Sequence, residues 1–471
     1  MPVAAMTSTM TLGIDVACRA AHQATLAVGG VVVWKGRKFF TSPVELDRLW
    51  ADLDLDDPAR LTVVLEPTRN AWIVLAQWFR RRGARVVMVP TTQSADLRRY
   101  YSRHAKNDRL DSEVLAKLPL LHPEGLRNFT GPGTADPLRR LTKQRSTMVK
   151  RRTAVYSRLD ALIELLGPGW YAVLGTDYGK AALAFLTRYA DPNAVLRLGR
   201  ARLARFLQSR SRGQYGTEPA RGLIAAAKET LALWGPDGMD FAELAADIAV
   251  EAEQAIFLSA QIKEIDERIA NLYAEADPDA IIASAPGVGP VTSSVIAGRI
   301  GDPHRFTSLA AIRAYSGLVP KVNQSGLGET TPGITKAGDP LLREMLFMAA
   351  DHARLVDPQL AAKYARLMSG DRHRDSAVCH LAADLLTRIA TCWRTGTPYI
   401  LRDVDGRVIT ETEGRQIVKT KYKVDQKQRV AAASRRMKQR RRQAADRESQ
   451  KSQSAPTSRP ATTSIKPAAV A

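Results

Sequence analysis

Cysteine is scarce: Cys18, Cys379 and Cys392 are the only three in 471 residues, and they lie far apart. Such a set offers no disulfide framework and no Cys-x-x-Cys metal knuckle, which points to a reducing, cytoplasmic compartment. Long apolar runs are missing as well. The longest charge-free stretch, 280–298, contains Pro286, Pro290, Gly287 and Gly289, an unfavourable composition for a bilayer helix, so no membrane partner is expected. The opening residues MPVAAMTSTM carry no Lys or Arg ahead of an apolar core, so no secretory leader is expected. Acids are in deficit, 48 Asp and Glu against 69 Lys and Arg, for a net charge of +21. That surplus calls for a polyanionic partner, nucleic acid before a membrane surface.

The length suggests about two to four domains, at roughly 100–200 residues each. The positive charge is unevenly spread. From Arg415 to the end there are 16 Lys and Arg and 3 Asp and Glu, a net +13, leaving +8 for the preceding 414 residues. This segment dissolves into Ser, Thr, Pro and Ala from Ser449 onward, so 415–471 reads as a basic, disordered tail. It is either a phosphate-gripping arm or merely solvated.

Residues 10–125 alternate short apolar runs with amphipathic stretches, the pattern of an α/β domain. TLGIDVA and LTVVLE are apolar runs that end in an acid, Asp15 and Glu66. HQATLAV and VVVWKGRKFF flank Gly29-Gly30 as a hairpin, AWIVLAQWFRRR is an amphipathic helix closed by Gly83, and ARVVMVP is a strand stopped by Pro90. Residues 137–166 read as a long helix with Leu141, Met148, Val155, Leu159, Leu162 and Leu166 on a 3–4 repeat, Arg145 and Arg152 filling two further seam positions. A second seam runs through Ala255, Leu258, Ile262, Ile265, Ile269 and Leu272. Coiled-coil packing with the first helix, or with another subunit, is one expectation, and an ordinary amphipathic helix is the other. The stretch 170–245 between them has no assignable pattern. Beyond 280 the chain is Gly-rich and then helical, with helices expected over Leu341–Ala353 and Ala377–Trp393. His380 is placed on the apolar side of the latter as a boundary histidine, not a ligand.

Asp108 and Asp111 sit three apart at an apparent helix start, so both carboxylates share one helical face. Acids at strand ends facing acids on a helix could hold two hard divalent cations such as Mg²⁺, which suit phosphoryl transfer. Turn-capping and first-turn helix acids are the plainer alternative. SAPGVGPVTSSVIAGRIGD looks like a helix–hairpin–helix, with Gly287 and Gly289 exposing backbone N–H groups to phosphate, or like an ordinary helical connection. Ser325 lies in a flexible stretch with Gly326 and Gly328, between Lys321 and Lys336. It is either a loop serine or a nucleophile for a phosphodiester, and no His or Asp spacing suggests a hydrolase triad.

LGIDVA, VVLEPT and KNDRLDSEVLA resemble the DEDD set of a bacterial transposase family, the insertion-sequence 110 family, which includes the Piv-type DNA invertases. APGVGPVTSSVIAGRIGDPHRF and YSGLVPKVNQSG…GITKAGDPLLREML resemble its second block. The likeness covers about 10–125 and 280–395, roughly half the chain.

The resemblance implies an α/β RNase H-like (RuvC-like) catalytic domain over 10–125. It implies a helical coiled-coil middle over 137–279, and a mainly α transposase domain with a helix–hairpin–helix-like start over 280–400. Asp15, Glu66, Asp108 and Asp111 would bind Mg²⁺ or Mn²⁺, and Ser325 would form a covalent phosphoserine link before rejoining. The implied partners are the element's end and target DNA, a structured guide RNA encoded by the element, and further copies of the chain in a dimer or tetramer in the bacterial nucleoid. Carboxylates from one chain could work with Ser325 of another. Lys106, Arg139, Arg140, Lys143, Gly287, Gly289, Lys321 and Lys336 are the candidate nucleic-acid contacts. The competing expectations are a hydrolytic RNase H-like nuclease or junction resolvase, and an inactive nucleic-acid-binding protein. One departure stands out: where the family often has Thr-Gly after the glutamate, this chain has Thr68-Arg69.

Overall fold

The structure is a computed structural model that describes residues 10–89, 96, 108–121, 126–129, 131, 133, 135–321, 323–325, 328–330, 333–370 and 372–425; of Asp108 and Ser325 it describes the backbone. The chain divides into two compact units, Met1–Gly133 and Thr134–Ala471.

The first unit is built on a six-stranded sheet: β1 Met10–Asp15, β2 His22–Val28, β3 Val31–Phe39, β4 Leu61–Leu65, β5 Arg85–Met88 and β6 Arg127–Asn128, in the order β3-β2-β1-β4-β5-β6. β1, β2 and β3 pair antiparallel, β4 and β5 run parallel to β1, and β6 is antiparallel to β5. The β2–β3 hairpin turns through Gly29 and Gly30, both at positive φ (55° and 88°), the conformation that a tight hairpin of the right twist demands. All five residues of β4 are buried, as expected of a central strand covered on both faces.

Strand alternation decides which residues face which layer. Leu12 and Ile14 of β1, and Leu61, Val63 and Leu65 of β4, share a core with Leu46 and Leu49 of the helix Pro43–Ala51 and Leu75, Ala76 and Phe79 of the helix Ala71–Arg81. Val64 and Val87 face the other way and pack on Leu115 and Leu118 of the helix Asp108–Leu121. On that second face the helix comes close to backbone contact with β1. A Cβ at Gly13 would lie 2.3 Å from the backbone N of Ala116 and 2.3 Å from the carbonyl of Ser112. Thr11 Oγ1 donates to Ala116 O (2.7 Å), and Thr25 on β2 bonds Ser112 side chain to side chain (2.8 Å).

In the second unit the helix Ala135–Glu164 lies antiparallel to the 36-residue helix Phe241–Ala276. The register is fixed by three polar contacts in opposed order: Arg145 with Asp266, Arg152 with Ser259 (3.3 Å), and Arg158 with Glu251 (2.7 Å). The seam arginines are thus answered by polar groups on the facing helix. They mark a polar layer between two apolar cores. On one side Val155, Leu159, Ile163, Ile248, Ala252 and Ala255 join the helices Pro168–Leu174, Lys180–Tyr189, Pro192–Arg210 and Thr217–Trp234. Those four helices are the structure of the stretch 170–245. On the other side Leu138, Leu141, Ile265 and Ile269 join the helices Pro290–Ile300, Leu309–Ser316, Pro340–Ala353, Pro358–Ser369 and Arg374–Thr395.

Two expectations are corrected here. His380 is exposed on the surface of its helix and bonds Arg372 at 2.8 Å, so it does not sit on the apolar side. The folded chain also runs past Arg415. Thr410 and Glu413 form a capping box that starts the helix Glu411–Lys421, whose Val418 is buried, as is Val424 beyond it. Apolar anchors at those two positions outweigh the basic composition around them. Residues 426–471 lie outside the described residues.

Gly13→Ala tests the sheet–helix contact. The obstructing atoms are backbone and cannot rotate away, so the helix must shift. A loss of about 1–3 kcal/mol is expected as a lower urea midpoint with an unchanged slope; stability within about 0.5 kcal/mol of wild type contradicts the contact.

Candidate active site

Asp15 is the last residue of β1, and Glu66 is the first residue past β4. The parallel register pairs Ile14 with Leu65, so Asp15 and Glu66 follow directly on the last pair of two neighbouring strands, whose backbones run about 4.8 Å apart. Alternation carries Asp15 to the face of Thr11 and Gly13, and Glu66 to the face of Val64. That is the face covered by the helix Asp108–Leu121. Both acids are half-buried.

The helix runs opposite to β1. Ala116 is level with Thr11, and Ser112 with Gly13. Four helical residues advance about 6 Å and two strand residues about 6.6 Å, so one further turn sets the backbone of Asp108 level with Asp15. Asp111, half-buried, lies one residue before Ser112. The four expected carboxylate positions therefore come to one end of the sheet and to one face of it.

Among the described residues no group of three His, Cys, Asp or Glu side chains is close enough to hold an ion, and the Asp108 side chain is outside that set. The donor chemistry nevertheless suits a hard divalent cation, because the positions gathered here offer carboxylate oxygen alone.

His22, which the sequence gave no reason to single out, pins the loop that leaves β1. Its ring is buried against Phe39, with centroids 5.1 Å apart. Nδ1 accepts the Ala17 N–H (3.1 Å), which puts the ring proton on Nε2, facing the Thr41 hydroxyl at 2.7 Å. Burial pushes its pKa below the usual value. After Glu66 the chain turns through Arg69 at φ +48°. A left-handed conformation is costly for a residue with a Cβ, and this is the position where the sequence departs from glycine.

Ser325 was expected in a flexible stretch, but its backbone is the last residue of the strand β7 Asn323–Ser325, paired with β8 Gly328–Thr330 in the register Ser325 to Gly328. The ribbon continues down to its root through Lys321 N–H to Gly333 O (2.7 Å) and Thr335 N–H to Val319 O (2.9 Å). At the root Gly338 packs so tightly that a Cβ would meet Tyr315 O at 2.2 Å, and Arg343 donates to Ser316 O at 3.1 Å. Asp339 caps the helix Pro340–Ala353 and pairs with the buried Arg299 at 3.2 Å. Ser325 is thus presented near the tip of a ribbon with a braced base.

Among the remaining sequence candidates, Arg139, Arg140 and Lys143 are exposed on the helix Ala135–Glu164, and Lys321 and Lys336 are exposed beside the ribbon. Gly287 takes φ +76° and touches the helix Pro340–Ala353, while Gly289 is the N-cap of Pro290–Ile300. Lys106 lies outside the described residues.

A family model for the IS110 DEDD transposases, described as a transposase, matches residues 12–168 and so spans all four acids. A second, the transposase IS116/IS110/IS902 family, matches 279–365 and spans Ser325. The chain belongs to the IS110 family of transposases. It is 26% identical over 402 residues to the 43.6 kDa protein of insertion element IS110 from Streptomyces coelicolor, covering 82% of this chain and 95% of the relative. It is 25% identical to the 42 kDa protein of IS900 from Mycobacterium paratuberculosis, over 72% of this chain and 84% of that one. It is 32% identical to the transposase for IS1328 from Yersinia enterocolitica, over 28% and 41% respectively. As a transposase, the enzyme cuts and rejoins DNA. Among the described residues no helix is long and apolar enough to cross a membrane.

Two predictions concern the turns beside the acids. Protonated His22 cannot accept the Ala17 N–H, and the unfolded chain takes up that proton first, near pH 6.5. The transposase should hold this stability above about pH 6.5 and lose it as pH falls towards the depressed folded pKa. Urea unfolding at pH 7.5 and 5.5 should show a larger loss in wild type than in His22→Gln; equal losses contradict this. Arg69→Gly should relieve left-handed strain and stabilise by about 1 kcal/mol, and a lower melting temperature than wild type would count against it.

Proposed function

We propose that the transposase severs and rejoins DNA through an RNase H-like carboxylate site and the nucleophile Ser325. One observation carries this reading: Asp15, Glu66 and the first turn of Asp108–Leu121 share one face at one end of the sheet. The order β3-β2-β1-β4-β5, three antiparallel strands followed by two parallel ones, supports an RNase H-like (RuvC-like) fold.

Asp15, Glu66, Asp108 and Asp111 would hold Mg²⁺ or Mn²⁺. When bound, a divalent cation supplies positive charge for the phosphoryl oxygens as their negative charge builds. The protein's own work is to orient and to attack. Lys321 and Lys336, exposed beside the ribbon, attract the DNA phosphate. The Ser325 Oγ bonds to phosphorus, the bond to a DNA oxygen breaks, and the departing DNA hydroxyl takes the proton that the serine loses. Reversal with a different DNA hydroxyl rejoins the strands and frees Ser325.

The specificity in this reading comes from a structured guide RNA encoded by the element. The exposed Arg139, Arg140 and Lys143 offer charge for its backbone or for DNA. The facing 3–4 seams of Ala135–Glu164 and Phe241–Ala276 support a coiled-coil pairing within the chain, and the working form is a homo-oligomer, a dimer or tetramer.

The test is covalent trapping. Wild type, Ser325→Ala and Asp15→Ala are each expressed with the native flanking DNA and any RNA encoded there, incubated in Mg²⁺ and denatured. DNA should remain attached to wild-type protein and to neither variant. Cleavage without an adduct that survives in Ser325→Ala would instead establish a hydrolytic nuclease.

A further inference from the structure

We infer that the arginine-rich second limb of the helix Pro192–Arg210, with the turn at Arg212 that follows it, is a separate docking surface for the phosphate backbone of duplex DNA, remote in function from the cutting chemistry. The helix breaks at Gly199 (φ 73°, ψ 162°), and a second limb begins at Arg200. Leu203, Ala204 and Leu207 of that limb are buried, and Phe206 meets Tyr189 edge-on at 5.1 Å. Arg200, Arg202, Arg205 and Arg210 are exposed, and Arg212 continues the series. No Asp or Glu occurs between Pro192 and Thr217. Arg197 pairs with Asp191, and Arg202 donates to the carbonyls of Leu198 (3.0 Å) and Arg197 (3.3 Å), closing the end of the first limb. Among the described residues Arg200, Arg205, Arg210 and Arg212 have no ion-pair partner.

The spacing suits a polyphosphate. Arg200, Arg205 and Arg210 recur every five residues, about 7.5 Å along the helix, roughly twice the 3.4 Å phosphate repeat of each DNA strand. Every cation here is a guanidinium, whose fork matches phosphate oxygens. Phe206 is half-buried and held by Tyr189, so the face offers no platform for stacking unpaired bases. It also exposes no large apolar side chain, as membrane insertion would need. Backbone contact to a duplex is what remains. The choice of DNA over duplex RNA rests on the transposase reading.

The test uses full-length protein and fluorescence anisotropy with a 30-base-pair DNA duplex of arbitrary sequence, over a series of NaCl concentrations. A duplex RNA of equal length serves as the second arm. In the variant Arg200→Ala/Arg205→Ala/Arg210→Ala/Arg212→Ala, the slope of log K against log salt should shrink by up to about 3.6, or about 0.9 per lost phosphate contact. The matching Arg→Lys variant should retain the slope. Should the alanine protein melt early, Arg205→Gln/Arg212→Gln replaces it, with about half the change expected. An unchanged DNA slope in a folded variant overturns the proposal, and so does a change confined to duplex RNA. Because binding is read without cleavage, failure of the serine adduct leaves this result independent.

Discussion

The near-contact of two backbones at Gly13 is the constraint on which the first unit depends. With no side chain on β1 at that point, the helix Asp108–Leu121 can settle on the strand at the distance that Thr11, Thr25 and Ser112 fix by hydrogen bonds. That seat determines the height of the helix along β1, and hence that its first turn meets the strand end. Polar anchoring matters here because apolar packing is non-directional and would tolerate a sliding helix, whereas a hydroxyl bonded to one carbonyl does not. The acids follow from the seat. Asp15 and Glu66 each follow the last pair, Ile14 with Leu65, because β1 and β4 are parallel and in register, and they share a face because side chains alternate.

The second unit solves a different problem, that of holding two apolar cores on one pair of helices. Its device is the polar layer of Arg145, Asp266, Arg152 and Ser259. Half-buried charges that pair only in one alignment penalise a helix slipped by a turn more than a stripe of leucines would. Gly338 is the counterpart of Gly13 in this unit. It lets the base of the Ser325 ribbon press on Tyr315 and Gly317, backbone against backbone, and the cap and ion pair of Asp339 lock the next helix to it.

Much of this was legible in the sequence. The acid-ended apolar runs announced Asp15 and Glu66 because buried strands need continuous apolar residues, which makes a terminal acid conspicuous. The Gly29-Gly30 hairpin and the two long seams were legible for the same reason, strong periodicity with clear stops. What could not be read was pairing across the chain. Whether the seam of Ala255–Leu272 faced Leu141–Leu166 or another subunit depended on Arg145 meeting Asp266, 121 residues away. The segment 170–245 hid its four helices because Pro168–Leu174 and Lys180–Tyr189 are short, Pro192–Arg210 breaks at Gly199, and Thr217–Trp234 carries Pro219 and Gly222, so no seam extends far enough to stand out. His380 sits beside the buried Val378 and Leu381 in sequence yet emerges at the surface, since a rotation of one residue on a helix is about 100°. In the segment from Arg415 the basic composition masked two apolar anchors, Val418 and Val424.

The central claim is that β1, β4 and the helix Asp108–Leu121 gather their acids into one cation site. Mn²⁺ binding followed by electron paramagnetic resonance tests it most directly, comparing wild type with Asp15→Asn, Glu66→Gln and Asp111→Asn. These substitutions keep size and remove charge, and circular dichroism melting checks the fold of each. The account predicts that every one of the three weakens Mn²⁺ by at least about tenfold. Wild-type affinity in folded Glu66→Gln, beside a loss in Asp15→Asn, would contradict it, because the two strand ends would then not belong to the same site.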